Sequence, residues 1–223
     1  QGTFTPYGSL WCNYFGGSSS DYIAIADNNA LDFGTGDFTI EFWFNFAVSQ
    51  DRAIATGWNT SGVVNGWAVD ASNTGVSFTS AVNDSYVGAS QSGSILNGVW
   101  NHFAAVRSGS TVTVYLNGVG GTPVTNTQSI NTQSSGMMIG RSTYNPNPRP
   151  YQGYVSNFRI LKGTALYTAN FTPSASPLTA ITNTSLLTCQ SNRFIDNSSN
   201  AFTVTPNGNV SVQRFSPFNP TTP

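Results

Sequence analysis

Charge is the scarcest property of this chain of 223 residues. Lysine, arginine, aspartate and glutamate together make up 8% of it, where soluble proteins usually carry about a quarter. The formal net charge is −1, so nothing electrostatic favours nucleic acid or an anionic membrane surface. Lys162 is the only lysine, Glu41 the only glutamate and His102 the only histidine. Two cysteines and one histidine cannot build a standard zinc site. No uninterrupted apolar run is long enough to insert into a membrane. No segment of ten or more residues carries a helical period, and no glycine-rich phosphate loop precedes a lysine. The first residue is Gln1 and no signal-peptide pattern follows it, so either a processing event or an upstream segment precedes it.

Serine, threonine, asparagine and glycine take the place of the missing charge. Aromatics make up 13%, enough to bury a core and to set the chain apart from disordered polar tracts. The length suits one large sandwich that needs no staple or metal on grounds of size. The dominant period is two. Phe38, Ile40, Phe42, Phe44 and Phe46 alternate with Thr39, Glu41, Trp43 and Asn45, the pattern of a half-buried strand with an aromatic inner face. Ile23 and Ile25 point inward on a second strand, and Val112, Val114 and Leu116 share a face on a third. Turn signals recur at 33–37, Asn65-Gly66, Ser108-Gly109, Asn117-Gly118 and Asn207-Gly208. Residues 100–107 and 111–117 therefore form a hairpin. Residues 28–33 and 164–167 are expected as single helical turns. The prolines of 145–150 make a stiff extended loop. The prolines of 216–223 make a linker. Many short strands at regular spacing predict an all-β fold, a two-sheet antiparallel jelly-roll sandwich with first and last strands adjacent.

The two ends echo each other: Thr3-Phe4-Thr5-Pro6-Tyr7 and Arg214-Phe215-Ser216-Pro217-Phe218 share Phe, hydroxyl, Pro, aromatic. Two explanations stand side by side: coincidence, or an assembly of tandem or stacked copies. In the second case Phe4, Pro6, Tyr7, Phe215, Pro217 and Phe218 are the candidate joints. Cys12 and Cys189 lie near opposite ends. They form either one bridge, worth about 4–5 kcal/mol in the chain-entropy model, or two buried thiols.

Three stretches resemble the laminin-G and concanavalin-A-like lectin and glucanase family. They are 36–43 (GDFTIEFW), 100–107 with 111–118 (WNHFAAVR, TVTVYLNG), and 153–160 with 163–167 and 170–173 (GYVSNFRI, GTALY, NFTP). The resemblance spans roughly residues 8–213, leaving 1–7 as an extension or linker and 214–223 as a proline-rich linker. The third stretch, with 186–191 (LLTCQS), is most similar to modules of tailed-phage structural proteins, and also to bacterial surface adhesins. The resemblance implies an extracellular or virion-surface location, and partners that are other copies or modules of the same assembly together with cell-surface glycan. Calcium is an open cofactor. Relatives hold it with acidic residues near the first strand, where only Asp21 remains, and with an acidic residue where this chain has Ser156 or Asn157.

The glucanases of that family raise the question of catalysis. Glycoside hydrolysis needs two carboxylates across the scissile bond. Asp37 and Glu41 share a strand face with Thr39 between them, and no second acidic cluster accompanies them. The expectation is a non-catalytic structural or adhesion module. A calcium-dependent lectin is the alternative and a glucanase-related hydrolase the remote one. Sugars bind where aromatic faces meet amides and carboxylates. Trp58, Asn59, Asn65, Trp67 and Asp70 are the candidate ligand residues.

Overall fold

The alternation read from the sequence becomes strand pairing in the computed structural model, which describes residues 10–59, 62–142 and 149–218. In chain order the strands are β1 (Cys12–Gly16), β2 (Tyr22–Ile25), β3 (Phe38–Phe46), β4 (Asp51–Thr56), β5 (Gly66–Ser72) and β6 (Gly75–Val82). There follow β7 (Ser85–Ser92), β8 (Trp100–Ser108), β9 (Thr111–Leu116), β10 (Val119–Gly120) and β11 (Val124–Thr125). The last are β12 (Met137–Ile139), β13 (Gln152–Lys162), β14 (Thr184–Thr188), β15 (Thr205–Asn207) and β16 (Ser211–Gln213). One antiparallel sheet runs β10-β9-β8-β3-β13-β1-β16, with β11 beside β9 and β14 beside β13. The other runs β15-β2-β12-β4-β5-β6-β7. This is the expected two-sheet sandwich. The pairing of β1 with β16 makes the outermost strands of the chain neighbours.

The inner faces are filled as the period of two requires. Phe38, Ile40, Phe42, Phe44 and Phe46 are fully buried, each aromatic ring contributing about 1.5–3 kcal/mol of burial. Phe42 stacks between Phe103 at 4.9 Å and Phe158 at 5.1 Å. Phe38 meets Phe78 of the opposite sheet at 5.4 Å. Ile23, Ile25, Val112 and Val114 are buried as expected. The β8–β9 hairpin forms in the register the turn signal implied. Beyond it, Asn117 and Gly118 have φ of 51° and 81°, a pair of left-handed conformations suited to a tight hairpin turn. A side chain at Gly118 would collide with the carbonyl of Phe171.

The outer face of the larger sheet is not left to solvent. Residues 163–182 cross it as an irregular strap. Thr39 Oγ1 donates to Thr164 O at 2.8 Å, Tyr115 OH donates to Tyr167 O at 3.2 Å, and Phe171 N donates to Gly118 O at 2.9 Å. The helical turn expected over 164–167 does not form, because these residues bond to the sheet instead of to each other. The turn near residue 30 does form, as a short 3₁₀ segment over Asn29–Leu31 capped by the Asn28 side chain. Residues 214–218, read from sequence as tail, lie on the same outer face. Phe215 is 6% exposed and packs on Trp100 at 5.1 Å and Tyr154 at 4.8 Å. Phe218 meets Trp43 at 5.8 Å, and Pro217 is half-buried between the two. Three outward aromatics would otherwise face water, and the tail covers them. Phe4, Pro6, Tyr7 and most of the 145–150 loop lie outside the described residues.

Cys12 and Cys189 are free and buried. Cys12 opens β1 and Cys189 follows β14, and both strands pair with the same edge of β13. Burial pushes both thiols well above their ordinary range. They are two buried thiols, the second of the two readings from sequence.

Candidate functional site

On the seven-stranded sheet the outward residues are small. Strand β5 turns Gly66, Ala68 and Asp70 outward, since Trp67, Val69 and Ala71 enter the core. Opposite them stand Ala81, Thr79 and Ser77 of β6, then Tyr86, Gly88 and Ser90 of β7. A cleft of about 280 Å³ opens over this floor. Ala68 and Thr79 form its base, and Trp58, Val64, Tyr86, Asp70, Ser142 and Arg149 form its walls. Trp58 is 8% exposed and Tyr86 57%, with ring centroids 6.1 Å apart and planes tilted by 58°. Two glycines hold Trp58 there. Gly57 N donates to Trp67 O at 2.8 Å, and the close approach of Gly66 to the Gly57 carbonyl, at φ 115°, leaves no room for a side chain.

The opposite wall is ionic. Arg149 bridges two carboxylates, with Nη1 at 2.9 Å from Asp70 Oδ1 and Nη2 at 2.6 Å from Asp51 Oδ1. Burial pushes the Asp70 carboxyl up, the Arg149 charge opposes that, and the Asp51 charge adds to it. The cleft thus joins an aromatic wall, a hydroxyl on its floor and a polarised carboxylate. Those are the elements needed to stack on a sugar ring and read its hydroxyls.

The candidates named from sequence separate on this map. Trp58 and Asp70 meet in the cleft. Trp67, expected from sequence as a ligand residue, is instead fully buried in the core, its Nε1 3.4 Å from Thr132 Oγ1, because it shares the inward phase of Val69 and Ala71. Asn59 and Asn65 are spent on their own loop: Asn65 N donates to Asn59 Oδ1, both side-chain amides donate to Val63 O, and Asn65 Oδ1 accepts from Asn83 N. The sequence reading missed Tyr86, Thr79, Ser142 and Arg149. Strand parity could have separated Trp67 from Asp70, because Trp67, Val69 and Ala71 keep one phase. No local signal pointed to Tyr86, which reaches Trp58 only through sheet pairing.

The positions implied for calcium, Asp21, Ser156 and Asn157, are engaged in hydrogen bonds within the fold. Asp21 is 2% exposed. Its Oδ1 accepts from Asn209 N at 2.8 Å and its Oδ2 from Ser18 N at 3.4 Å. Asn157 Oδ1 accepts from Leu178 N, and Ser156 Oγ donates to Trp11 O. Among the described residues no three acidic, histidine or cysteine side chains gather. Calcium wants six to eight oxygens, and here the oxygens already serve the fold, with Asp21 tying the β1–β2 turn to the β15–β16 turn. No helix among the described residues is long and apolar enough to cross a membrane.

Glu41 is equally occupied. Its Oε1 accepts from Arg159 Nε at 2.9 Å and Nη2 at 2.5 Å, and its Oε2 accepts from Tyr167 OH at 2.8 Å and lies 3.4 Å from His102 Nε2. Burial pushes this carboxyl up, but the His102 hydrogen bond and the Arg159 charge outweigh it, so it is held below its ordinary value. The strap seals the cluster, with Tyr167 stacked on Phe171 at 3.6 Å.

Sequence comparison matches residues 15–168 to the model of the concanavalin A-like lectin/glucanases superfamily. The chain belongs to that superfamily. A search of curated proteins returns no match. Among solved structures, a protein of Bacteroides ovatus provisionally assigned as carbohydrate-binding superposes with a TM-score of 0.64 at 15% identity, covering 92% of this chain and 60% of its own. The chain therefore spans less than two thirds of that protein. The native heptameric SAP-like pentraxin of Limulus polyphemus gives a TM-score of 0.64 at 14% identity, covering 93% of this chain and 96% of its own. Domains LG4-5 of the mouse laminin alpha1 chain give 0.53 at 13% identity, covering 72% and 44%. At these identities the likeness is one of fold.

Proposed function

We propose that this chain is a non-catalytic adhesion module of an extracellular or virion-surface assembly, and that it contacts glycan through the cleft between Trp58, Tyr86 and Asp70. The observation that carries the reading is the exposed Tyr86 ring standing beside Trp58 over a floor of Ala68 and Thr79. Superfamily membership and the carbohydrate-binding assignment of the Bacteroides ovatus protein support it. The likeness of 153–173 and 186–191 to tailed-phage and surface-adhesin modules supports the assembly part. Hydrolysis finds no support at Glu41, whose carboxylate faces Arg159 and Tyr167 instead of a cleft.

A glycan array followed by Tyr86→Ala tests the binding part. The expected result is binding by the native chain that the variant loses while keeping its melting temperature. An array without hits would sink it. Native mass and negative-stain imaging test the assembly part. Ordered oligomers or virion-attached copies are expected, and a monomer at all concentrations would overturn it.

A further inference from the structure

Asp70 borders two spaces, not one. On one side lies the aromatic cleft. On the other lies a groove of about 230 Å³ whose outward walls are the hydroxyls of Ser72, Ser77, Ser90 and Ser92. The strand register shows why the two are continuous. Along β6 the outward positions run Ala81, Thr79, Ser77, Gly75, and along β7 they run Tyr86, Gly88, Ser90, Ser92. Among the described residues, no outward position of β6 or β7 beyond Tyr86 carries a side chain larger than threonine. A side chain at Gly88 would only reach ordinary contact with Thr79 Oγ1, at 3.5 Å. From Tyr86 to Ser92 the strand advances six residues, about 20 Å at the usual rise. That is longer than any single sugar ring.

The charge along this path, two carboxylates against one guanidinium, is negative on balance. Asp51 and Asp70 face it, and the guanidinium of Arg149 is already divided between them. Among the residues described around the cleft and groove, an acidic ligand would meet two carboxylates and a cation already paired with both, whereas a neutral one would meet hydroxyls and a hydrogen-bond acceptor.

We infer that the ligand is a neutral linear oligosaccharide lying along β6 and β7, its first unit against Trp58 and Tyr86 and its later units over Ser77 and Ser90. This rests on the glycan reading of the cleft and adds its length and charge class. Affinity then rises with chain length, because later units add contacts without a second association cost.

The test is tryptophan-fluorescence titration and calorimetry of the native chain with cello-, malto- and laminari-oligosaccharide ladders of one to six units, with oligogalacturonates of equal length as acidic comparators. At least one neutral ladder should tighten by about tenfold or more from the shortest to the longest member, while the oligogalacturonates stay far weaker. Ser90→Arg, at an exposed position, should flatten that length dependence and spare the shortest ligand. Tyr86→Ala should abolish binding at every length. Neutral binding that is independent of length, or indifferent to Ser90→Arg, overturns this inference and leaves the cleft standing. Preference for the acidic ladder also overturns it. Failure of every ladder to bind, with Tyr86→Ala silent, overturns the glycan reading itself.

Discussion

Replacing Glu41 by glutamine separates a structural carboxylate from a catalytic one. The side chain is fully buried, and its ion-pair partner Arg159 is 6% exposed. Glutamine keeps the shape, so little packing is lost. The guanidinium, however, loses the carboxylate it is paired with and keeps the neutral carbonyl of Thr179. Leaving one partner of a buried pair uncompensated costs about 3–5 kcal/mol. At about 2–4 °C per kcal/mol for a chain of this size, the melting temperature should fall by roughly 6–20 °C. Calorimetry and urea unfolding followed by tryptophan fluorescence would measure it. The pH dependence has a definite sign. The folded carboxyl sits below its ordinary 4.5, so its contribution is complete above that pH and is lost as pH falls through the folded value. Native and Glu41→Gln stability curves should therefore converge in acid. Replacing both partners by apolar residues, Glu41→Leu with Arg159→Met, should cost less than Glu41→Gln alone. A Glu41→Gln protein that melts within a degree or two of the native one would refute this account. A glucanase would show the reverse pattern, with hydrolysis lost and stability kept.

Other consequences are as direct. Trp67→Ala should cost about 3–5 kcal/mol of stability, whereas Tyr86→Ala at an exposed ring should stay within about 0.5 kcal/mol, a contrast that denaturant midpoints would read. Millimolar calcium should leave the melting temperature unchanged, because a site filled at a hundred times its Kd would add about 2.7 kcal/mol. Such a shift would mean that the Asp21 oxygens can be recruited after all. Cys12 and Cys189 should resist a thiol reagent in the native state and both react in denaturant, since burial disfavours their thiolates. Absence of free thiol in denaturant would reveal a bridge.

Much of the architecture follows from local chemistry. The alternation of Phe38–Phe46 dictates one aromatic face toward a core, because successive strand side chains must point to opposite sides. Asn117 and Gly118 tolerate the left-handed backbone that closes the β9–β10 hairpin, as Gly109 does between β8 and β9. Those signals need only neighbouring residues, and so the sequence itself determined the strands, the hairpin and the two-sheet sandwich. The cleft beside Trp58 is different. Trp58 and Trp67 look alike in sequence, both aromatic and both near asparagine and glycine. One lines the cleft and the other fills the core because Trp67 shares the phase of Val69 and Ala71, while Gly57 and Gly66 turn Trp58 to the other side. Tyr86 joins it only through the β6–β7 register, and Arg149 only by reaching back to Asp51 and Asp70. The burial of Glu41 and of Phe215 depends likewise on the strap and the tail folding over a sheet face. These outcomes belong to the tertiary structure, because they are decided by contacts between residues far apart in the chain, where side-chain type carries no record of its partner.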